Sequence, residues 1–282
     1  MTRALVLGGG GIAGVAWETG ILAGLAESGV DVLDADLVIG TSAGSTVAAQ
    51  VTSGVPLAQL LARQTDPALQ PRELLPETDV AALLTRLGEI SEAAQDGPDL
   101  RRRTGDLALS TATVTERERR AVIQDRLPVH EWPNRAVQVT AVDTETGDLV
   151  VFDRESGVPL VDAVAASCAV PGVWPAVTIG GRCYMDGGMR SAENADLAAG
   201  FDTVLVLQVL ELPGGERWGM DLDTQLRTLR AGGSLIEVIK ADETSAAAFT
   251  TNPLDPATRG PSALAGVAQG RAEAARIKAF WS

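Results

Sequence analysis

Histidine is almost missing from this chain. One residue, His130, stands among 282, within Val129-His130-Glu131-Trp132-Pro133, a stretch with the composition of a loop. That scarcity argues against a zinc centre of ordinary Cys/His spacing and leaves serine chemistry a single imidazole to draw on. Cysteine is scarce too: Cys168 and Cys183 are too few for a disulfide framework and fit a reducing compartment, so a soluble, cytoplasmic protein is expected. Basic charge is in deficit. Lys and Arg total 23 against 37 Asp and Glu, a net charge of −14, which argues against nucleic acid as a partner and disfavours electrostatic docking on an anionic bilayer.

Membrane-spanning runs are lacking as well. The longest uncharged stretch, Leu37 to Ala62, is long enough to span, but its Gly, Ser, Thr and Gln content and Pro56 read as a buried strand, helix and turn. The apolar N-terminus is broken by Gly8 to Gly11 and by Glu18, so it reads as a first strand rather than a signal peptide. No internal repeat or linker is visible. With 45% hydrophobic residues, one globular domain over residues 1–282 with a sizeable core is expected.

What is present is organised by short apolar runs ending in glycine. Ala4 to Leu7 reads as a strand, Val15 to Ser28 as a helix closed by Gly29, and Leu37 to Ile39 as a second strand. A helix follows from Ser42 to Gly54-Val55-Pro56. This β-α-β-α start predicts an α/β fold with a parallel sheet and helices on its faces. Residues 63–127 turn rich in Leu, Ala, Glu and Arg and predict a helical insertion or cap. In it Leu83, Leu84, Leu87, Ile90 and Ala94 form an apolar face, Asp96 to Arg103 a solvated loop, and Thr113 and Glu116 a capping box for a helix reaching Leu127. Hairpins are predicted around Asp143 to Asp148 and Gly180-Gly181, further strands at Thr203 to Leu210 and Leu235 to Ile239, and a closing helix over Pro261 to Trp281.

Three segments carry chemistry. Gly40-Thr41-Ser42-Ala43-Gly44 follows a strand and opens a helix, the pattern of a turn that lifts a nucleophilic hydroxyl toward a helix N-terminus. Ser45 reads as facing the first turn of that helix. A base is then required. The triad Ser42, His130, Asp186 has an order that none of the three familiar triad families uses, and an exposed loop histidine is the plainer reading of His130. An aspartate is a weaker base than histidine by about 2.6 pKa units, or roughly 3.5 kcal/mol. Burial recovers part of that by raising the pKa, and each oxyanion donor is worth ~2.7–4 kcal/mol. Gly9-Gly10-Gly11, with no side chains in the way, offers such backbone donors. The alternative for the glycine run is a nucleotide-binding turn, since Gly9, Gly11 and Gly14 match the dinucleotide fingerprint. That fingerprint wants an acid at the end of the second strand, whereas Asp34 and Asp36 precede it.

Taken together, these segments resemble the patatin-like phospholipases, lipid acyl hydrolases with a Ser-Asp dyad. Gly9 to Gly14 resembles their glycine-rich oxyanion motif, Gly40 to Gly44 their serine elbow, and Asp186-Gly187-Gly188 their Asp-Gly-Gly motif. Ala166 to Gly172 resembles the Ser-x-x-x-Pro block, and Ala141 to Gly147 a strand-and-turn segment of the family. One position departs: the family usually carries Arg or Lys before the last glycine of the first motif, where this chain has Ala13. The resemblance implies a three-layer α/β/α fold with a central, mainly parallel sheet. It further implies that Ser42 attacks an ester carbonyl, Asp186 takes its proton, and Gly9, Gly10 and Gly11 hold the oxyanion. Water then hydrolyses the acyl-enzyme, with no metal or organic cofactor. The partners implied are a lipid or other acyl-ester substrate and transient contact with a membrane. A weakly catalytic acyl-binding module of the same fold is the remaining alternative. Trp17 and Trp174 are candidates for an acyl pocket, with core packing as their ordinary fate.

Overall fold

The computed structural model describes residues 1–76, 78–210, 221–250 and 252–282. Its centre is an eight-stranded sheet. The strands are β1 (Arg3–Leu7), β2 (Leu37–Thr41), β3 (Ala136–Asp143), β4 (Leu149–Phe152), β5 (Val177–Ile179), β6 (Arg182–Asp186), β7 (Thr203–Gln208) and β8 (Leu235–Lys240). Strands β8, β7, β1, β2 and β3 are parallel in that spatial order, while β4, β5 and β6 are antiparallel additions beside β3. The apolar runs in β1, β2 and β7 are continuous because both sheet faces are covered, as parallel strands require.

Alternation in β1 shows the two faces. Leu5 and Leu7 join a large core with α1 (Gly11–Glu27), α2 (Ala43–Val51), α7 (Leu160–Ser167) and α10 (Arg259–Trp281), whereas Ala4 and Val6 meet α8 (Leu222–Ala231) on the other side. The fold is therefore the expected three-layer α/β/α arrangement. Helix α1 lies against α10 at backbone distance. A Cβ on Gly20 or Gly24 would come within 2.2 and 2.3 Å of the Ala263 and Val267 carbonyl oxygens, and one on Gly266 or Gly270 within 2.4 Å of those of Trp17 and Ile21. Helix α9 (Glu243–Phe249) adds an edge-to-face contact of Phe249 on Trp17, whose Nε1 donates to Gln269 Oε1 at 3.1 Å. Trp17 is thus core.

Between β2 and β3 the chain forms α3 (Leu57–Thr65), α4 (Val80–Ala93), α5 (Gly97–Ser110) and α6 (Glu116–Arg126). Two local expectations are corrected here. Asp96 to Arg103 is not a loop: Asp96 caps α5 through Asp99 N–H, Pro98 occupies the first turn, and Asp99 accepts from Arg103. The capping box of α6 uses Thr115 and Glu118, two residues beyond the predicted pair, because Glu116 turns outward to accept from Thr178 of β5. Helices α8 and α9 had no counterpart in the sequence reading. Their N-caps, Asp221 and Asp242, were there to be seen, but both helices are short.

One register determines where the chemistry lies. Strand β3 has two edges, and β4 takes one by pairing with Val139 to Val142. The other edge is shared: β2 pairs with Ala136 to Thr140 and stops at Thr41 opposite Thr140, while β6 arrives from the opposite direction and stops at Asp186 opposite Ala141. The ends of β2 and β6 therefore face consecutive residues of β3.

Candidate active site

The elbow at the end of β2 is strained and tied down. Ser42 has φ 53° and ψ −112°, a conformation that costs a non-glycine residue ~1–3 kcal/mol and persists only when its surroundings enforce it. They do so from both sides of the peptide. Ser42 N–H donates to Ser167 Oγ at 2.9 Å, and its carbonyl accepts from Ser45 Oγ at 2.6 Å and Cys168 Sγ at 3.2 Å. Gly44 N–H donates to the Gly8 carbonyl at 3.0 Å, and a Cβ at Gly44 would sit 2.0 Å from Leu7 O, so only glycine lets α2 start this close to β1. With both backbone groups of Ser42 engaged, its hydroxyl is left over for chemistry. Ser45 is fully buried and faces the first helical turn, as read.

Asp186 closes β6 at 2% exposure. Its N–H donates to Ala169 O at 3.0 Å and its Oδ1 accepts from Gly188 N–H at 2.7 Å, while Oδ2 is buried without a hydrogen-bond partner. Burial pushes the carboxyl up from 3.8 to about 7, against the opposing pull of the Ser42 hydroxyl, the Gly188 N–H and the Arg119 guanidinium. The Ser42 hydroxyl is near enough to favour the carboxylate but falls short of a full hydrogen bond. A base near neutrality is matched to abstracting a proton at physiological pH, so burial removes most of the handicap of aspartate relative to histidine.

The spacing of the two strand ends is held by a buried amide. Asn194 Nδ2 lies 3.1 Å from Thr41 Oγ1, 3.4 Å from Thr140 Oγ1, 3.3 Å from Gly187 O and 2.8 Å from Ser191 O. One side chain thus joins the end of β2, the middle of β3 and the Asp-Gly-Gly turn. Thr41 and Thr140 hydroxyls complete the link at 2.8 Å.

The glycine loop lies beside the elbow, with a Cβ on Gly9 falling 3.5 Å from Ser42 Cβ. Its donors need one correction. Gly9 N–H is already given to Ala192 O at 2.8 Å, whereas Gly10 and Gly11 N–H make no hydrogen bond among the described residues. Ala13, the departure from the family pattern, is fully buried in the main core. Behind the loop, burial pushes Glu18 well above the usual carboxylate range and Glu193 up to about 7. Glu18, kept protonated there, adds no negative charge to oppose an oxyanion.

Other candidates are placed elsewhere. His130 is exposed and its Nε2 pairs with Gln124 O at 3.1 Å, with no bond to Ser42 or Asp186. Among the described residues no cluster of three His, Cys, Asp or Glu side chains is disposed to hold a metal ion. Trp174 is buried, and Arg119 of α6 stacks on its ring at 3.9 Å. Neither Arg119 nor Asn194 was singled out from the sequence. Asn194 has one visible signal, its place eight residues beyond Asp186 among small residues, but its positive φ of 50° does not show in a sequence.

Comparison with known proteins places these features in context. No curated protein sequence matches the chain. VipD from Legionella pneumophila has a similar structure over 98% of this chain and 67% of its own, at 13% identity and a TM-score of 0.49. ExoU from the type III secretion system of Pseudomonas aeruginosa, solved with SpcU, is similar over 96% of this chain and 52% of its own, at 18% identity and a TM-score of 0.39. This chain spans about half the length of ExoU. The family model "Patatin-like phospholipase" matches residues 5–199. That span runs from β1 through the glycine loop, the serine elbow and the Asp-Gly-Gly turn to Asn194, and by it the chain belongs to the patatin-like phospholipase family of lipid acyl hydrolases.

Proposed function

We propose that this protein is a serine acyl hydrolase that cleaves carboxylic ester bonds of lipids, phospholipase A-like, with Ser42 as nucleophile and Asp186 as general base. The observation that carries the reading is the meeting of β2 and β6 on one edge of β3, which sets a strained serine beside a buried carboxyl of pKa about 7. Asp186 takes the proton as Ser42 Oγ bonds to the ester carbon, and the carbonyl π electrons move onto oxygen. Gly10 and Gly11 N–H groups and the N-terminus of α2 meet the resulting charge. Collapse breaks the bond to the alcohol, which leaves with the proton from Asp186. Water then repeats the sequence, giving up its proton to Asp186 as its oxygen bonds to the acyl carbon, and Ser42 recovers a proton as the fatty acid departs. The chain supplies every group in this cycle. Residues 63–127 act in it as a helical insertion of a single domain, walling the site, and contact with a lipid surface is transient.

Labelling with a fluorophosphonate followed by peptide mapping tests the nucleophile, with modification expected at Ser42. Ser42→Ala and Asp186→Asn are each expected to lower kcat for a p-nitrophenyl ester by at least ~10³-fold, while His130→Ala keeps it. Loss confined to the His130 variant, or labelling of another serine, overturns the dyad.

A further inference from the structure

The helical segment before β3 buries more positive charge than it neutralises. Arg119, Arg126 and Arg259 are all buried and interact with Glu73, and Arg126 interacts with each of the other two. Glu73, itself buried, is fully used: its Oε2 meets Arg126 at 2.7 Å and its Oε1 meets Arg259 at 2.5 Å. One carboxylate thus serves two of three guanidinium groups. Arg119 is left over at 4% exposure, with Nε and Nη1 buried and without hydrogen-bond partners. An unpartnered buried cation is costly, and proteins retain one chiefly where something is to be bound. Stacking on Trp174 offsets part of the cost and fixes the plane of the guanidinium. Burial and Arg126 depress its pKa, with Cys168, Glu73 and Asp186 pulling the other way, and a guanidinium in such surroundings stays protonated.

Its neighbours show which part of a substrate it would meet. Arg119 interacts electrostatically with Asp186 and stacks on Trp174, in the loop that begins just after Ala169, the residue whose carbonyl takes the Asp186 N–H. In the reaction proposed above, on which this inference rests, Asp186 hands its proton to the departing alcohol. The alcohol portion of the ester therefore lies on the Asp186 side and the oxyanion on the glycine side. We propose that Arg119 is a specificity-determining residue that binds a phosphate group carried by the leaving alcohol, as in a glycerophospholipid. Its planar fork suits a bidentate contact with two phosphate oxygens. It supplies from α6 a positive charge that Ala13 does not provide. The net charge of −14 narrows the substrate further: a zwitterionic phospholipid presents the phosphate without an anionic surface. Helix α4 buries none of its described side chains and rests on Gly172 through Leu83, and Thr78, just before the helix, donates its hydroxyl to the Gly172 carbonyl.

The test uses the full chain and a matched pair of soluble esters, dihexanoylphosphatidylcholine and dihexanoylglycerol, with p-nitrophenyl butyrate as reporter. The wild type is expected to favour the phospholipid by at least ~10-fold in kcat/KM, the scale of one charge-assisted hydrogen bond in a dry site. Arg119→Gln is expected to lose at least ~10-fold more activity on the phospholipid than on the diacylglycerol, and Arg119→Lys to restore part of that difference. In the wild type, free inorganic phosphate is expected to inhibit p-nitrophenyl butyrate turnover competitively at millimolar concentration, a readout that survives if the Gln variant fails to fold. Equal wild-type rates on the two lipids, a proportional loss on both in the variants, or indifference to phosphate each overturn the assignment of Arg119 while leaving the dyad intact. Absence of p-nitrophenyl butyrate turnover with no fluorophosphonate label on Ser42 overturns the hydrolase reading, and this one with it.

Discussion

At Asp186, activity and stability pull in opposite directions. Its carboxyl is raised to about 7 by burial, so the folded chain holds a proton that the unfolded chain gives up near pH 4. Folding is therefore favoured at low pH, and that advantage is lost as pH rises toward and through 7, where the carboxylate forms in the dry site. Catalysis needs the charged form. The expected result is a kcat/KM for a neutral ester that rises tenfold per pH unit below about 7 and levels above it. The stability side is checked with Asp186→Asn, which cannot titrate. Urea unfolding is expected to show its advantage over the wild type growing by roughly 2 kcal/mol between about pH 5.5 and about pH 8.5, one and a half pKa units of linkage. Glu18 and Glu193 are raised in the same direction, so the wild type alone overstates the effect of Asp186, and the difference between the two proteins isolates it. A flat difference would mean that Asp186 is already ionised at pH 5.5.

At the scale of elements, glycine has opposite meanings in two helices, and the sequence does not tell them apart. Gly24 lies in α1 where a Cβ would meet Val267 O at 2.3 Å, and Gly88 lies in α4 with no heavy atom within 4 Å of such a Cβ. Gly24→Ala is expected to cost ~1–3 kcal/mol by overpacking α1 on α10, whereas Gly88→Ala is expected to gain ~0.5–1 kcal/mol from helix propensity alone. Thermal melts of the two variants, moving in opposite directions, check this. The same distinction explains which elements were legible. Buried strands announce themselves: β1, β2 and β7 are continuous apolar runs because both faces are covered. The serine elbow and Asp-Gly-Gly turn were visible because their backbones admit few residue types. Arg119 was not, since α6 carries five charged residues in its first five and only packing decides which one is buried. The engagement of the Gly9 N–H was equally hidden, because its acceptor, Ala192, lies far along the chain.

The whole molecule combines a strongly acidic exterior with a site that has one surplus buried cation. No described helix is long and apolar enough to cross a membrane. In the reaction proposed, a bilayer lipid is met at the membrane surface. For a chain of charge −14, that encounter depends on the charge of the surface. Repulsion from an anionic bilayer acts over a Debye length of about 30 Å at 0.01 M salt but only about 10 Å at 0.1 M. Initial rates on phosphatidylglycerol vesicles are therefore expected to rise severalfold as salt is raised through that range. Rates on phosphatidylcholine vesicles of the same size should stay within about twofold, since no long-range field opposes the approach. Buried contacts at Arg119 are screened far less, so the preference for a phosphate-bearing alcohol should survive the same change of salt when both esters are soluble. Rates that fall with salt on the anionic vesicles would instead mean that a local basic patch docks the protein and overrides its net charge.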